Sequence, residues 1–142
     1  MKKILFVGNG NTCRSVMAEY IFNSLCKRLG IEGYIGESCG MNARKGMPPG
    51  EYTINAVKEM GIDIKDHKAS LADVEILSSA EKIYCMVPSV AASVITYLPG
   101  LENKVEMLGE GIPSPEGASM GTFINIREML EQEILEIIGT LK

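Results

Sequence analysis

The sequence has few aromatic residues and lacks any apolar run of membrane-spanning length. It contains no tryptophan and three phenylalanines, so aliphatic side chains and nine methionines must fill the core. The apolar run behind Met1 ends at Val7, too early for the hydrophobic region of a signal peptide. Basic residues form no cluster and the net charge is −4, which is unfavourable for nucleic-acid binding. We therefore expect neither a nucleic-acid nor a membrane partner.

Closely spaced cysteines are also absent. The four cysteines include no C-x-x-C pair, and their wide spacing resembles neither a zinc site nor the disulfide framework of a secreted protein. This pattern predicts a reduced, cytoplasmic protein with no bound metal and no cofactor.

Short apolar runs alternate with amphipathic segments along the 142 residues. Strands are predicted at residues 4–7, 34–39, 82–87 and 105–108, and helices at 14–29, 51–60, 88–98 and 122–138. A brief helix is predicted from Ser70 to Glu75 with Ser70 as its N-cap. Strands alternating with helices favour an α/β protein with a parallel sheet and right-handed crossovers. The length fits a single domain covering residues 1–142.

The segment from Gly8 to Ser15 joins the first predicted strand to the first helix. Gly10 and Asn11 tolerate left-handed backbone angles, and Arg14 carries a planar fork of donors suited to phosphate. A loop at a helix N-terminus favours an anion, although an ordinary glycine-containing turn has the same local pattern. The segment matches neither G-x-x-x-x-G-K-[ST] nor G-x-G-x-x-G, which disfavours nucleotide binding.

This segment resembles the low-molecular-weight protein tyrosine phosphatases, whose signature is an apolar strand followed by C-x5-R-S. Arg14 and Ser15 match that signature, and Met17-Ala18-Glu19 follows. The register places Gly8 where the family carries its cysteine nucleophile. The resemblance implies a doubly wound, four-stranded parallel sheet. It also implies a phosphate-binding loop made of Asn9, Gly10, Asn11, Thr12, Cys13, Arg14 and Ser15.

The resemblance extends beyond the loop. Ser38 lies in a segment similar to the family's Ser-Ala-Gly, and His67 in one similar to its D…H-x-A. In the family, the matching serine and histidine bond to the loop asparagine, here Asn11, and hold the loop in shape. As the only histidine, His67 fits a surface loop equally well when the family is left aside.

Two reactive groups of the family are missing. Its general acid is an aspartate in a D-P motif, and Ser114 stands at that place, before Pro115. Glycine carries no nucleophile, and a serine hydroxyl is a poor general acid near neutral pH. The resemblance therefore implies a protein that binds phosphoryl groups or oxyanions at Gly8–Ser15 while being catalytically impaired or inactive.

Three alternatives stay open on the sequence. Cys13, beside Arg14 and a helix N-terminus, is either a plain buried thiol or a stand-in nucleophile of an active phosphatase. Cys13 and Cys39 could instead form a disulfide in a thiol-redox protein. Glu116 could deliver a proton in place of Ser114, or it is a solvated loop carboxylate.

Thr12 indicates the ligand. Members with threonine at this place resemble the bacterial protein-arginine phosphatases, while those acting on phosphotyrosine tend to carry a bulky aliphatic residue there. The expected partner is phosphate or a phosphorylated protein side chain, either phosphoarginine or phosphotyrosine. The sequence makes no prediction of the oligomeric state.

Overall fold

The structure is a computed structural model that describes residues 1–115 and 117–142. Its strands are β1 (Lys2–Gly8), β2 (Tyr34–Gly40), β3 (Lys82–Cys85) and β4 (Val105–Met107). Its helices are α1 (Arg14–Leu29), α2 (Glu51–Lys58), α3 (Val74–Ser79), α4 (Pro88–Tyr97) and α5 (Met120–Leu141).

The four strands form one parallel sheet in the order β2-β1-β3-β4. Strand β1 pairs with β2 on one side, from Lys2↔Tyr34 to Gly8↔Gly40, and with β3 on the other. The next strand along the chain, β2, lies on one side of β1, and the strand after it, β3, lies on the other side. The end of β1 is therefore the point where the strand order reverses. Loops at such a point are where open α/β sheets bind ligands. The predicted fold class is confirmed.

Alternation along β1 divides the core into two layers. Ile4 and Phe6 face a cluster built with α1, α2 and α5, and Leu5 and Val7 face a second cluster built with α3 and α4. All four side chains are at most 1 % exposed, each contributing roughly 1.5–3 kcal/mol through burial. This burial on both faces fixes β1, and with it the start of the loop that follows.

The predicted N-cap at Ser70 is wrong. Helix α3 begins at Val74, and its cap is Asp73, whose side chain accepts a 2.8 Å hydrogen bond from the N–H of Ile76. Residues before the cap are extended, because Gly40 donates to the Ser70 carbonyl and accepts from Ala72, both at 2.9 Å. Pairing with the end of β2 therefore takes precedence over local helix capping.

The other boundaries differ by a few residues. Helix α5 is longer than predicted at both ends, whereas α2 ends two residues early at Lys58 and β3 ends at Cys85. Among the described residues, no helix combines the length and the apolar character that crossing a membrane requires.

Candidate functional site

A cavity of about 400 Å³ opens at the carboxyl end of β1. It contains the whole predicted loop, and α2, the segment before α5 and α5 itself supply its other walls. Its lining residues are Gly8, Asn9, Gly10, Asn11, Thr12, Cys13, Arg14, Ser15, Gly50, Thr53, Ser114, Pro115, Gly117 and Phe123.

The loop's carbonyl groups are bonded to neighbouring segments. The carbonyl oxygens of Gly8, Asn9 and Thr12 accept backbone hydrogen bonds of 3.0, 2.9 and 3.1 Å from the segment after β2 and from the residue before α2. In a planar trans peptide the N–H points opposite to the C=O. The following N–H group in each case therefore turns away from these neighbours and toward the concave side of the loop. The first-turn N–H groups of α1, which have no partner within the helix, lie at the same place.

Asn11 holds the loop in this shape. It is the one described non-glycine residue with a positive φ, 57°, and it is 2 % exposed. Its Nδ2 donates to the hydroxyls of Ser15 and Ser38 at 3.0 and 2.9 Å. Its Oδ1 accepts from the N–H of Ser70 at 2.9 Å and contacts Nε2 of His67 at 3.3 Å. This side chain therefore ties the loop to α1, to β2 and to the segment after His67, offsetting the left-handed backbone.

His67 is a buried residue rather than a surface one. It is 9 % exposed, and its ring meets Tyr20 edge-on at 5.7 Å. Burial lowers the pKa of His67 below its ordinary value, which favours the neutral ring at pH 7. Because Oδ1 of Asn11 can only accept, Nε2 must carry the proton in this contact. The structure thus brings together Asn11, Ser38 and His67, as the resemblance implied.

Glu19 extends the network and was missed from the sequence. The Ser38 hydroxyl donates to Oε1 of Glu19 at 2.5 Å while accepting from Asn11. Burial raises the pKa of Glu19 to about 7, against which the Ser38 hydrogen bond acts. The sequence spacing could have indicated this role, because Glu19 lies one helical turn after Ser15 and therefore on the same face of α1.

Arg14 links the loop to the opposite wall of the cavity. Its Nη1 donates to the Ile112 carbonyl at 2.7 Å. Two residues later the exposed Ser114 lies on that wall and lines the cavity. Glu116, the other candidate for proton delivery, lies outside the described residues.

A side chain at Gly8 would require a small movement of its neighbours. A Cβ built there would lie 3.2 Å from Oγ of Ser15 and 3.6 Å from Cγ of Met86, which a shift of a few tenths of an ångström accommodates. Gly40 differs, because a Cβ there would collide with the backbone carbonyl of Asn9. The loop rests directly on the end of β2, whereas at position 8 the atoms nearest to an added Cβ are side-chain atoms of Ser15 and Met86.

The proposed redox pair of Cys13 and Cys39 is not brought together. Cys13 lines the cavity and packs against the cluster of α1, α2 and α5. Cys39 is fully buried in the cluster on the other face of the sheet. Burial raises the pKa of the Cys39 thiol to about 12, so it is unreactive near neutral pH. The sheet itself separates the two side chains, which corrects that expectation.

No metal-binding group is found in the described part of the chain, where no three His, Cys, Asp or Glu side chains converge suitably. Among the described residues that line the cavity, Arg14 carries a positive charge, and the N-terminus of α1 adds partial positive charge.

The buried carboxyl of Glu19 predicts a pH-dependent stability. Its pKa is about 7 when folded and 4.5 in the ordinary case, so the folded chain holds this proton more tightly. The stabilisation by this proton is complete below pH 4.5 and is lost as the pH rises through 7. The free energy of unfolding then falls by about 3 kcal/mol. Urea unfolding at several pH values should show this fall in the original chain and not in Glu19→Gln.

The exposed Glu75→Gln is the matched control, since it removes a carboxyl outside the network. It should retain the pH dependence of the original chain. Parallel curves for the original chain and Glu19→Gln would contradict the assignment of this proton to Glu19.

Comparisons with known proteins agree with this geometry. Residues 3–142 match the family model described as low molecular weight phosphotyrosine protein phosphatase. An arsenate reductase 2 of Staphylococcus haemolyticus is 32% identical over 133 residues, covering 94% of this chain and 93% of the relative. A protein-arginine-phosphatase of Bacillus subtilis is 27% identical over 146 residues, covering 98% and 96% of the two chains.

Solved structures show the same fold. A low molecular weight protein tyrosine phosphatase from T. tengcongensis superposes with a TM-score of 0.94 at 32% identity, covering 99% of this chain and 100% of that one. A mutant of the YwlE arginine phosphatase, cysteine to serine with a phosphorylated active-site serine, gives 0.93 at 27% identity, covering 98% and 95%. With its family signature placed in one cavity and nearly its whole length matched, this chain belongs to the low molecular weight phosphotyrosine protein phosphatase family.

Proposed function

We propose that this chain binds phosphoryl groups or free oxyanions in the loop Gly8–Ser15 and hydrolyses phosphate esters weakly or not at all. One observation supports this most: the loop's carbonyls are held by neighbouring segments while position 8 carries no side chain. The loop is thus shaped for an anion, and the residue at the family's nucleophile position has no nucleophilic group of its own.

Binding is supported by the charges and dipoles of the cavity. The N-terminus of α1 and the loop N–H groups present partial positive charge, and Arg14 adds a full one. Hydrogen bonds from a guanidinium to an anionic oxygen are roughly twice as strong as neutral ones. Relatives named for arsenate and for phosphorylated arginine, both tetrahedral oxyanion chemistries, agree with such a site.

The proposed loss of catalytic activity is supported by the residues at positions 8 and 114. Gly8 offers no atom to attack phosphorus, and the Ser114 hydroxyl does not release its proton near neutral pH. An oriented, charged site without its nucleophile retains about 10³–10⁴-fold acceleration over water. Because uncatalysed phosphate monoester hydrolysis is among the slowest reactions known, that acceleration gives negligible turnover.

The favoured ligand is phosphoarginine on a protein, with phosphotyrosine second. Thr12 lines the cavity, where its small polar side chain matches the arginine-phosphatase branch, and the Bacillus subtilis relative bears that activity's name. We also propose a cytoplasmic location, in keeping with the deeply buried thiols of Cys39 and Cys85, since thiols persist in reducing compartments.

The second candidate is an active phosphatase that uses Cys13. Its support is that Cys13 lines the cavity beside Arg14 and a helix N-terminus, surroundings typical of reactive cysteines. An in-line attack nevertheless requires placement within about half an ångström, and the family places its nucleophile at position 8.

Binding depends on Arg14. Replacing it by alanine in Arg14→Ala should weaken the affinity for inorganic phosphate about 10- to 100-fold in calorimetric titrations, because a charge-assisted hydrogen bond contributes about 1.5–3 kcal/mol. Arg14→Lys should retain part of the affinity, since it keeps the charge and loses the fork. Arg28→Ala makes the same charge change on the exposed end of α1 and should bind normally. Equal affinity in Arg14→Ala and the original chain would refute the proposed site.

Turnover depends on position 8. The original chain should show only background hydrolysis of p-nitrophenyl phosphate and phosphoarginine. Gly8→Cys combined with Ser114→Asp should raise the rate at least about 10³-fold, because a nucleophile and an acid are each worth several orders of magnitude. The new side chain at position 8 requires a shift of a few tenths of an ångström by Ser15, whose Oγ would lie 3.2 Å from its Cβ.

Turnover of about 1 s⁻¹ or more by the unmodified chain would contradict the impairment. Loss of that turnover in Cys13→Ala would then identify Cys13 as the nucleophile, and its persistence would exclude Cys13.

A further inference from the structure

Thr53 is unusual among the residues that line the cavity. It is 0% exposed, and its hydroxyl is the one buried side-chain polar atom without a hydrogen-bond partner in the described part of the chain. Buried hydroxyl groups are almost always paired, since an unpaired one lowers stability. An exception in the wall of a ligand cavity suggests that the missing partner belongs to the ligand.

The position of Thr53 differs from that of the phosphate-binding loop. It lies in the first turn of α2, where its Oγ1 would be 3.7 Å from a Cβ at Gly50. Gly50 in turn donates to the Thr12 carbonyl at 3.1 Å, so this turn is attached to the outer side of the loop. In the proposed function the N–H groups of the loop and Arg14 bind the phosphoryl oxygens. Thr53 belongs to a different wall of the same cavity, on α2, and is therefore available to the rest of the ligand.

We propose that Thr53 is a specificity-determining residue whose hydroxyl hydrogen-bonds the atom joined to phosphorus in the bound ligand. This inference rests on the proposed function and refines it. A phosphoramidate carries an N–H at that atom and can donate to Thr53. An aryl ester oxygen carries no hydrogen and is a weak acceptor, so it cannot donate to Thr53 and takes only a weak hydrogen bond from the hydroxyl. Sites built around a hydrogen bond discriminate strongly against analogues that cannot form it. Thr53 thus favours phosphoarginine over phosphotyrosine.

The test compares three ligands by calorimetry: inorganic phosphate, phosphoarginine and phosphotyrosine. Thr53→Val keeps the side chain's shape and removes the hydroxyl. It should weaken phosphoarginine binding about tenfold and change the binding of the other two less than twofold. Thr53→Ser should retain phosphoarginine binding. The exposed Thr96→Val on α4 is the matched control and should leave all three affinities unchanged.

The stability of the ligand-free Thr53→Val variant is a second measurement. Its expected change has the opposite sign if the Thr53 hydroxyl is hydrogen-bonded within the protein. A paired hydroxyl would make Thr53→Val less stable, whereas removing an unpaired one should raise the melting temperature of the ligand-free protein by about 2–4 °C. The expected combination is a more stable protein that binds phosphoarginine less tightly.

Several results would overturn the inference. If Thr53→Val lowers the affinity for all three ligands equally, the hydroxyl binds a phosphoryl oxygen instead. If the three affinities are unchanged, the hydroxyl does not contact the ligand. Phosphoarginine failing to bind while inorganic phosphate binds would also contradict it and leave the proposed function standing. Failure of inorganic phosphate to bind the original chain would instead refute the proposed function.

Discussion

The rest of the site depends on the hydrogen bonds of one buried amide, the side chain of Asn11. Its backbone is left-handed at φ 57°, and four contacts hold it there, to Ser15, Ser38, Ser70 and His67. Left-handed backbone is unfavourable for most residues, and it persists where surrounding contacts over-determine it. With this residue fixed, the loop peptides keep the orientation that the hydrogen bonds of the Gly8, Asn9 and Thr12 carbonyls impose. Such preorganisation avoids the cost of reorienting dipoles on binding.

The fold supplies the fixed points for this network. Strand β1 is covered on both faces, so the loop starts from a rigid end. Ser38 comes from β2 and Ser15 from α1, while His67 and Ser70 come from the chain that returns alongside β2. Arg14 adds a tie to the Ile112 carbonyl on the far wall. None of these contacts needs a side chain at position 8, which explains how the loop keeps its shape with a glycine there.

Sequence reasoning predicts the parts of this structure that short-range patterns encode. The apolar run and the spacing of Gly8 to Arg14 and Ser15 place the loop, and the family match adds Ser38 and His67. The Ser70 cap failed because pairing with Gly40 is a contact 30 residues distant that competes with a local signal. Glu19 and Thr53 were missed for a related reason. Glu19 is notable for the raised pKa of its buried carboxyl, and Thr53 for its buried hydroxyl without a hydrogen-bond partner. Both properties arise from packing and are visible only in the folded structure.

The most direct test of this account is the affinity of Asn11→Gly for inorganic phosphate, measured by calorimetry with the free energy of unfolding alongside. Glycine permits the left-handed backbone and removes every side-chain contact of Asn11. The variant therefore separates the effect of the backbone conformation from the effect of the side-chain hydrogen bonds. If the network preorganises the loop, the variant stays folded and binds phosphate at least about tenfold more weakly, a difference of about 1.4 kcal/mol. A folded Asn11→Gly that binds phosphate as tightly as the original chain would contradict the account.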